Sequence, residues 1–244
     1  MYYSETYGLL WHDADAAGIL RPSSLLRYMQ ETGNRQCRAY GYDLDKVFRE
    51  EGRGFLLARL QLTSYAPLHA YEQIEVRTWC PPSRGYTFSR WFQVLREGET
   101  VAEALTSWAL MDARAHALLK VTDVTWEFPT GDMPDTTALP AKVRLSPALP
   151  MEEVGVRQVA WSDTDFNRHM NNTRYPDVVW DHLPAEAVEG HPLSTLSLSY
   201  MKEAPLGETL RLYRAASPDR ANTYLIKALR ENGEVCFEAE AGLS

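Results

Sequence analysis

Reactive side chains alternate along one short segment in the second half of this 244-residue chain: Asp163, Asp165, Asn167 and His169. A carboxylate can act as a base or a nucleophile, an amide can hold a developing oxyanion, and an imidazole can move a proton near neutral pH. A helix predicted to begin directly afterwards would add free backbone N–H groups for a carbonyl oxygen. The segment therefore predicts a site for acid–base or nucleophilic chemistry.

Structural roles are also open for this segment. Asp-x-Asp-x-Asn resembles the opening of a calcium-binding loop, but the sixth position, which needs glycine, is Arg168, and the twelfth, which needs glutamate, is Arg174. The sequence therefore argues against calcium. Capping of a turn or a helix stays open for Asp165 and Asn167, because both residue types are common at caps.

The chain carries an internal duplication. Three pairs of similar segments occur in the same order in the two halves: 11–15 (WHDAD) with 161–165 (WSDTD), 66–68 (APL) with 204–206 (APL), and 94–104 (VLREGETVAEA) with 228–239 (ALRENGEVCFEA). The first pair has a spacing of 150 (163 − 13) and the second a spacing of 138 (204 − 66). Asp163 thus recurs as Asp13, which favours a structural role for this aspartate.

The two copies differ where chemistry is expected. At the positions of Asn167 and His169, the first copy has Ala17 and Ile19. This difference predicts that the second copy performs the reaction and that the first copy houses an apolar ligand. The first copy is rich in large apolar residues, most of which we expect to be ordinary core: Phe55, Leu56, Leu57, Leu60, Trp79, Trp91, Phe92 and Trp108.

Each copy is predicted to contain one helix and several long strands. The first helix begins near 21–23 (RPS), where serine can cap it and proline is tolerated, and the second covers about 172–182 with Pro176 in its first turn. Strand patterns in the first copy are found at 58–68, 72–80, 88–97 and 101–112. Gly98 and Gly233 each suit a hairpin turn. A helix laid on a curved antiparallel sheet is an α+β arrangement.

The domain organisation follows from the duplication. Residues 1–128 form a first unit and 151–244 a second, and the proline-rich stretch 129–150 is predicted to be a linker that runs over the surface. The two similar units are expected to pack against each other as a pseudo-dimer.

Composition excludes several classes of protein. A net charge of −8 argues against nucleic acid as the main partner. Cys37, Cys80 and Cys236 are far apart and predict reduced thiols, with neither a disulfide framework nor a zinc site. No segment has the pattern of a signal peptide or the roughly 18 apolar residues of a membrane span. We therefore expect a cytoplasmic protein without a membrane partner.

Residues 163–172 (DTDFNRHMNN) resemble the signature Asp-Leu-Asp-Met-Asn-Gln-His-Val-Asn-Asn of the plant and bacterial acyl-[acyl carrier protein] thioesterases. The resemblance continues at 78–79 (TW) and 107–112 (SWALMD) and at 198–203 (LSYMKE), which is similar to Leu-Glu-Tyr-Arg-Arg-Glu of that family. It covers essentially the whole chain.

This resemblance implies two tandem hotdog folds, in each of which a curved antiparallel sheet wraps a long helix. It also implies hydrolysis of a fatty acyl thioester on acyl carrier protein, with catalytic positions at Asp165, Asn167, His169 and Glu203 and with neither a metal nor an organic cofactor. The family often has cysteine after the glutamate, where this chain has Ala204. A carboxylate-based mechanism is therefore expected. The missing plastid transit pattern fits a bacterial enzyme.

Several questions stay open at this level. Asp165 can act as general base or as nucleophile. An acyl-coenzyme A thioesterase, a hydratase or dehydratase, and a non-catalytic acyl-binding protein are the alternative functions. Chain-length preference, the basic residues that dock an acidic carrier, and further pairing into a homodimer cannot be read from the residues.

Overall fold

In the computed structural model, which describes residues 2–126 and 139–244, eleven strands form one antiparallel sheet. The strands are β1 Tyr3–Gly8, β2 Arg53–Ser64, β3 Gln73–Trp79, β4 Phe88–Arg96, β5 Glu99–Asp112, β6 Ala117–Leu119, β7 Glu152–Gln158, β8 Leu193–Tyr200, β9 Thr209–Ala216, β10 Thr223–Leu229 and β11 Val235–Leu243. Their order is β1-β3-β4-β5-β2-β8-β11-β10-β9-β7, with β6 paired to β5. The four strand regions predicted in the first copy are confirmed.

Helices lie in both halves, with very different lengths: α1 Pro22–Ala39, α2 Leu44–Lys46 followed by a π-helical turn Val47–Glu51, α3 Tyr175–Asp181 and α4 Ala185–Val188. Four 3₁₀ turns accompany them, at Trp11–Asp13, Val121–Asp123, Trp161–Asp163 and Asn172–Arg174. No helix in the described parts of the chain is both long and apolar enough to span a membrane.

The predicted helix starts are confirmed, although the predicted cap is wrong. Arg21 occupies the cap position of α1 without a capping hydrogen bond from its side chain, and Ser23 is buried inside the helix. Proline in the first turn fixes the start because its missing N–H has no partner there in any case. In the second copy the 3₁₀ turn at Asn172 leads into α3, which has Pro176 in its first turn.

The apolar face of α1 packs into the concave side of the sheet. Leu26 and Met29 are 1% and 0% exposed, and Phe92 on β4 is fully buried against the same cluster. The alternation of strand side chains directs every second residue to this face. The turn between β4 and β5 has Glu97 and Gly98 at φ 53° and 85°, the conformation that glycine favours in tight hairpins.

A pseudo-twofold axis relates the two halves through the central strands. β2 and β8 pair antiparallel, with Gln61 opposite Ser197. The N–H of Leu20 donates to O of Leu68 and the N–H of Met170 donates to O of Ala204, both at 2.8 Å, so these acceptors are equivalent at a spacing of 136 (204 − 68). The predicted alignment of 66–68 with 204–206 at a spacing of 138 is therefore wrong by two residues. A three-residue sequence match does not determine which backbone groups form equivalent hydrogen bonds.

Residues 139–150, the described part of the predicted linker, contain neither helix nor strand. The N–H of Val143 donates to Oγ of Ser199 at 2.9 Å, and the N–H of Leu145 donates to a carboxylate oxygen of Glu238 at 3.2 Å. This stretch therefore crosses the face of β8 and β11 that points away from α1. Residues 129–138 of the predicted linker lie outside the described residues.

Candidate active site

The loop before the second helix is held by the aspartate at its centre. A carboxylate oxygen of Asp165 accepts the N–H of Asn167 at 2.8 Å, and its own N–H donates to O of His169 at 3.0 Å. The N–H of Arg168 donates back to O of Asp165 at 3.0 Å. The structural role considered for Asp165 is therefore present, because its side chain closes a turn.

The first copy builds the same loop without the reactive side chains. Asp15 accepts the N–H of Ala17 at 2.9 Å and donates its N–H to O of Ile19 at 2.8 Å. Residues 11–20 and 161–170 have the same burial pattern position by position. The loop therefore needs neither the Asn167 amide nor the His169 imidazole, which are available for another purpose.

His169 and Glu203 are brought together by the strand pairing. Nδ1 of His169 lies 3.2 Å from Oε2 of Glu203, and their side chains are 34% and 53% exposed. The backbone of His169 bridges to Pro205, which places it beside the segment that follows β8. A carboxylate on Nδ1 favours the tautomer in which Nε2 is free to accept a proton. The two predicted residues are 34 positions apart (203 − 169) and meet only in the folded chain.

Asp163 has a structural role, as its repetition predicted. It is 4% exposed and accepts a hydrogen bond from Arg157 at 2.6 Å and another from the N–H of Ala160 at 3.0 Å. Its counterpart Asp13 is likewise buried and accepts the hydroxyl of Tyr28 at 2.6 Å. Both carboxylates therefore anchor the 3₁₀ turn that precedes each loop.

A cavity of about 910 Å³ lies where the two copies meet. The second copy contributes Asp165, Phe166, Asn167, Asn171 and Asn172 to its wall. The first copy contributes many apolar residues, Phe48, Phe55, Leu56, Phe88, Phe92, Trp108, Met111 and Trp126, together with charged ones that include Arg38, Asp43, Asp45 and Arg53. His169 and Glu203 are not part of this lining. The cavity therefore joins two of the four predicted polar residues, Asp165 and Asn167, to the apolar residues of the first copy. His169 belongs to the same loop as these two, and Glu203 lies in the segment that follows β8.

The position related by the pseudo-twofold axis holds almost no space. It is a void of about 30 Å³, lined by Asp15, Ala17 and Ile19 of the first copy. This region is filled by Trp180, which lies in the last turn of the short helix α3, and by Leu193 of β8. The equivalent region on the other side is open. Of these two related positions, the one that carries Asn167 therefore holds the large chamber.

The predicted set of free backbone donors at the start of the second helix is largely wrong. The N–H of Asn171 donates to O of Asp163, that of Thr173 to the side chain of Asn171, and that of Arg174 to O of Asn171. Among these positions, only the N–H of Asn172 lacks a described acceptor. The cap formed by Asn171 uses the donors that a substrate carbonyl would need.

Residues of the first copy that complete the site were not indicated by any sequence pattern. Nε2 of Gln30 on α1 donates to Oδ1 of Asn172 at 2.7 Å. The rings of Phe48 and Phe166 meet edge to face at 4.8 Å between centroids. A glutamine on a helix and a phenylalanine in a short turn are unremarkable in type, and only their contact with the second copy gives them a role.

Cys236 and Cys37 are poor candidates for a nucleophile at this site. Sγ of Cys236 lies 3.3 Å from O of Lys202, next to Glu203 in sequence, but it is completely buried. Burial raises the pKa of the Cys236 thiol to about 12 and also raises the pKa of Cys37. A thiol with a raised pKa is protonated near neutral pH and is a weak nucleophile. The carboxylate-based chemistry expected from Ala204 is consistent with this environment.

A helix held in a curved antiparallel sheet, present twice around one central strand pair, is the double hotdog fold. Two solved structures share this fold over the full chain. An acyl-ACP thioesterase from Bacteroides thetaiotaomicron has a TM-score of 0.83 and 17% identity, and the match covers 100% of this chain and 98% of the other. The 12:0-ACP thioesterase from Umbellularia californica has a TM-score of 0.79 and 18% identity, and the match covers 100% of this chain and 97% of the other.

Sequence comparison adds the family. Residues 1–127 match the acyl-ACP thioesterase N-terminal domain and residues 151–241 match the acyl-ACP thioesterase C-terminal domain. The chain therefore belongs to the acyl-ACP thioesterase family. It is 23% identical over 257 aligned residues to the chloroplastic oleoyl-acyl carrier protein thioesterase of Coriandrum sativum, covering 98% of this chain and 69% of that protein. It spans 44% to 69% of the length of the plant relatives it matches.

Proposed function

We propose that this protein hydrolyses fatty acyl thioesters carried on acyl carrier protein, releasing a free fatty acid and the carrier thiol and so ending or diverting chain growth in fatty acid synthesis. The observation that carries the proposal is the large chamber between the two copies. It presents Asp165 and Asn167 at the junction of the copies and apolar side chains on the other wall. This combination suits an acyl chain with a reactive carbonyl at one end.

The chemistry is assigned to the four predicted residues. Water adds to the thioester carbonyl carbon while its proton passes to a carboxylate or to Nε2 of His169. The carbon–sulfur bond then breaks, and that proton passes on to the leaving sulfur to give the carrier thiol. The amide of Asn167 donates to the developing oxyanion, and Glu203 orients the imidazole. Asp165 acts either as the general base for this water or as a carboxylate that attacks the thioester itself, expels the thiolate and forms a mixed anhydride, which water then hydrolyses. Heavy-oxygen water in a single turnover separates these two roles, because label enters Asp165 only when that carboxylate attacks.

The test is thiol release from a saturated acyl-carrier substrate. Wild type is expected to release thiol, and His169→Ala and Glu203→Gln to reduce kcat by about 10²-fold or more if proton transfer depends on the pair. A saturated chain cannot serve a hydratase or a dehydratase, so thiol release from it identifies hydrolysis. Tight acyl binding without any turnover would refute the proposal, and faster turnover of the matched acyl-coenzyme A would reassign the thiol carrier.

Location and assembly belong to the same proposal. A bacterial cytoplasm is supported by the three unpaired cysteines Cys37, Cys80 and Cys236, which suit a reducing compartment. Cell fractionation of the source organism tests this. Pairing of two such chains into a homodimer stays a prediction. Light scattering, which measures the molar mass in solution, is the direct check.

A further inference from the structure

Arg168 adopts a backbone conformation for which the first copy uses glycine. Its φ is 62°, in the left-handed region, and the equivalent Gly18 has φ 76°. Each donates its N–H to O of the aspartate three positions earlier at 3.0 Å. Glycine makes this turn without the steric strain that an arginine Cβ introduces. The geometry of the loop therefore does not account for an arginine at this position.

Arg168 also differs from every other arginine of the second copy. Six arginines between residues 151 and 244 lie within ion-pair distance of a carboxylate: Arg157, Arg174, Arg211, Arg214, Arg220 and Arg230. The guanidinium of Arg168 is exposed and has no hydrogen-bond or ion-pair partner in residues 2–126 and 139–244. Its charge is therefore available to a molecule in solution.

Arg168 directly follows two residues that line the large chamber. Asn167, the preceding residue, lines the chamber, and Phe166 lines it while remaining 72% exposed. The carbonyl oxygen of Arg168 accepts the N–H of Leu206 at 2.9 Å, which holds the backbone in place. An exposed cation is thus presented from the loop whose neighbouring residues line the chamber.

Building on the proposed function, we propose that Arg168 binds the phosphate at the outer end of the pantetheine arm that carries the acyl thioester. The apolar chain and the thioester occupy the chamber, so the phosphate of the arm stays outside it. A guanidinium donates paired, charge-assisted hydrogen bonds that match phosphate oxygens. A protein of net charge −8 needs such a local cation to hold an anionic substrate.

The experiment compares three thioesters of one acyl chain: acyl-pantetheine, acyl-4′-phosphopantetheine and acyl carrier protein. Arg168→Gln removes the charge and keeps a side chain in the same turn, whereas Arg168→Gly recreates the loop of the first copy. Both are expected to lower kcat/KM on the two phosphate-bearing substrates by about tenfold, the worth of one charge-assisted hydrogen bond, mainly through KM. On acyl-pantetheine, which has no phosphate, kcat/KM is expected to fall by less than about threefold. Arg168→Lys should recover part of the difference.

Each other result overturns the assignment. Equal losses on all three substrates would mean that Arg168 supports the loop. A loss confined to acyl carrier protein would mean that the guanidinium contacts acidic side chains of the carrier. No loss on any substrate would mean that the charge is not used.

Two controls keep the outcome interpretable. Arg220→Gly removes a paired arginine on the turn between β9 and β10, far along the chain from the loop, and should not alter the substrate ratios. Thermal unfolding of Arg168→Gly should show no loss of stability, because the strained conformation is relieved. Failure of the proposed function itself would appear separately, as absent turnover of all three thioesters by wild type.

Discussion

Nε2 of Gln30 donates a hydrogen bond to Oδ1 of Asn172 at 2.7 Å, which joins the long helix of the first copy to the loop segment of the second. The two residues are 142 positions apart. The backbone carbonyl of Asn172 also accepts the hydroxyl of Tyr200 at 3.1 Å. Asn172 is therefore held from both copies, and because it lines the chamber, the relative placement of its two walls depends on this contact.

Gln30→Ala is expected to cost about 1–2 kcal/mol of unfolding free energy, because the partly buried Asn172 amide loses its donor. We also expect kcat to fall by about tenfold or more, since a small displacement of groups around a reacting carbonyl is costly. Denaturant unfolding and steady-state kinetics provide the measurements. Gln93→Ala is the control: it removes an amide contact with Thr100 inside the first copy and should leave kcat as it is. Equal effects of the two variants on kcat would contradict the role given to Gln30.

Asp165→Ala and Asp15→Ala form a matched pair across the pseudo-twofold axis. Both lose a carboxylate that closes the same turn, so each should lose about 1 kcal/mol of stability. Only Asp165→Ala should lose kcat, by about 10²-fold or more, because Asp165 alone faces the large chamber. Unfolding and turnover are measured on both proteins. Retained activity in Asp165→Ala would restrict this carboxylate to turn formation.

Asn167→Ala places in the second copy the residue that the first copy already has at this point. Since Ala17 supports the same turn, Tm should change by less than about 2 °C. The rate should fall by about 10²–10³-fold if the amide holds the oxyanion. Calorimetry measures the change in Tm, and steady-state kinetics on the acyl carrier protein thioester measures the change in kcat. A large drop in Tm would show that the amide has a structural role that the first copy does not reveal.

Cys236 is expected to stay unreactive toward alkylating reagents at pH 8. Burial raises the pKa of its thiol to about 12, so the nucleophilic thiolate is scarce at any pH below that value and increases only as pH approaches it. Labelling followed by peptide mass analysis measures this. Cys236→Ala should keep kcat and lose about 1 kcal/mol of stability through the small void it leaves. An inactive but folded Cys236→Ala would mean that the thiol takes part in hydrolysis.

The sequence by itself determined the local architecture of this protein. The duplication, both helix starts, the strands of the first copy and the glycine at each hairpin turn all depend on interactions within a few residues or on side-chain periodicity. The substitution of Ala17 and Ile19 by Asn167 and His169 was also visible without a structure, because both loops have the same length and the same central aspartate.

Only the tertiary structure decided how these parts combine. It set the repeat spacing at 136 at the equivalent backbone acceptors Leu68 and Ala204, whereas a short sequence match gave 138. It showed that Asn171 occupies donors expected to be free, and that Gln30 and Phe48 reach across from the first copy. The reason is physical: a chamber exists where side chains from segments more than a hundred residues apart fail to fill the space between them. Equivalent loops therefore enclose about 910 Å³ on one side and about 30 Å³ on the other.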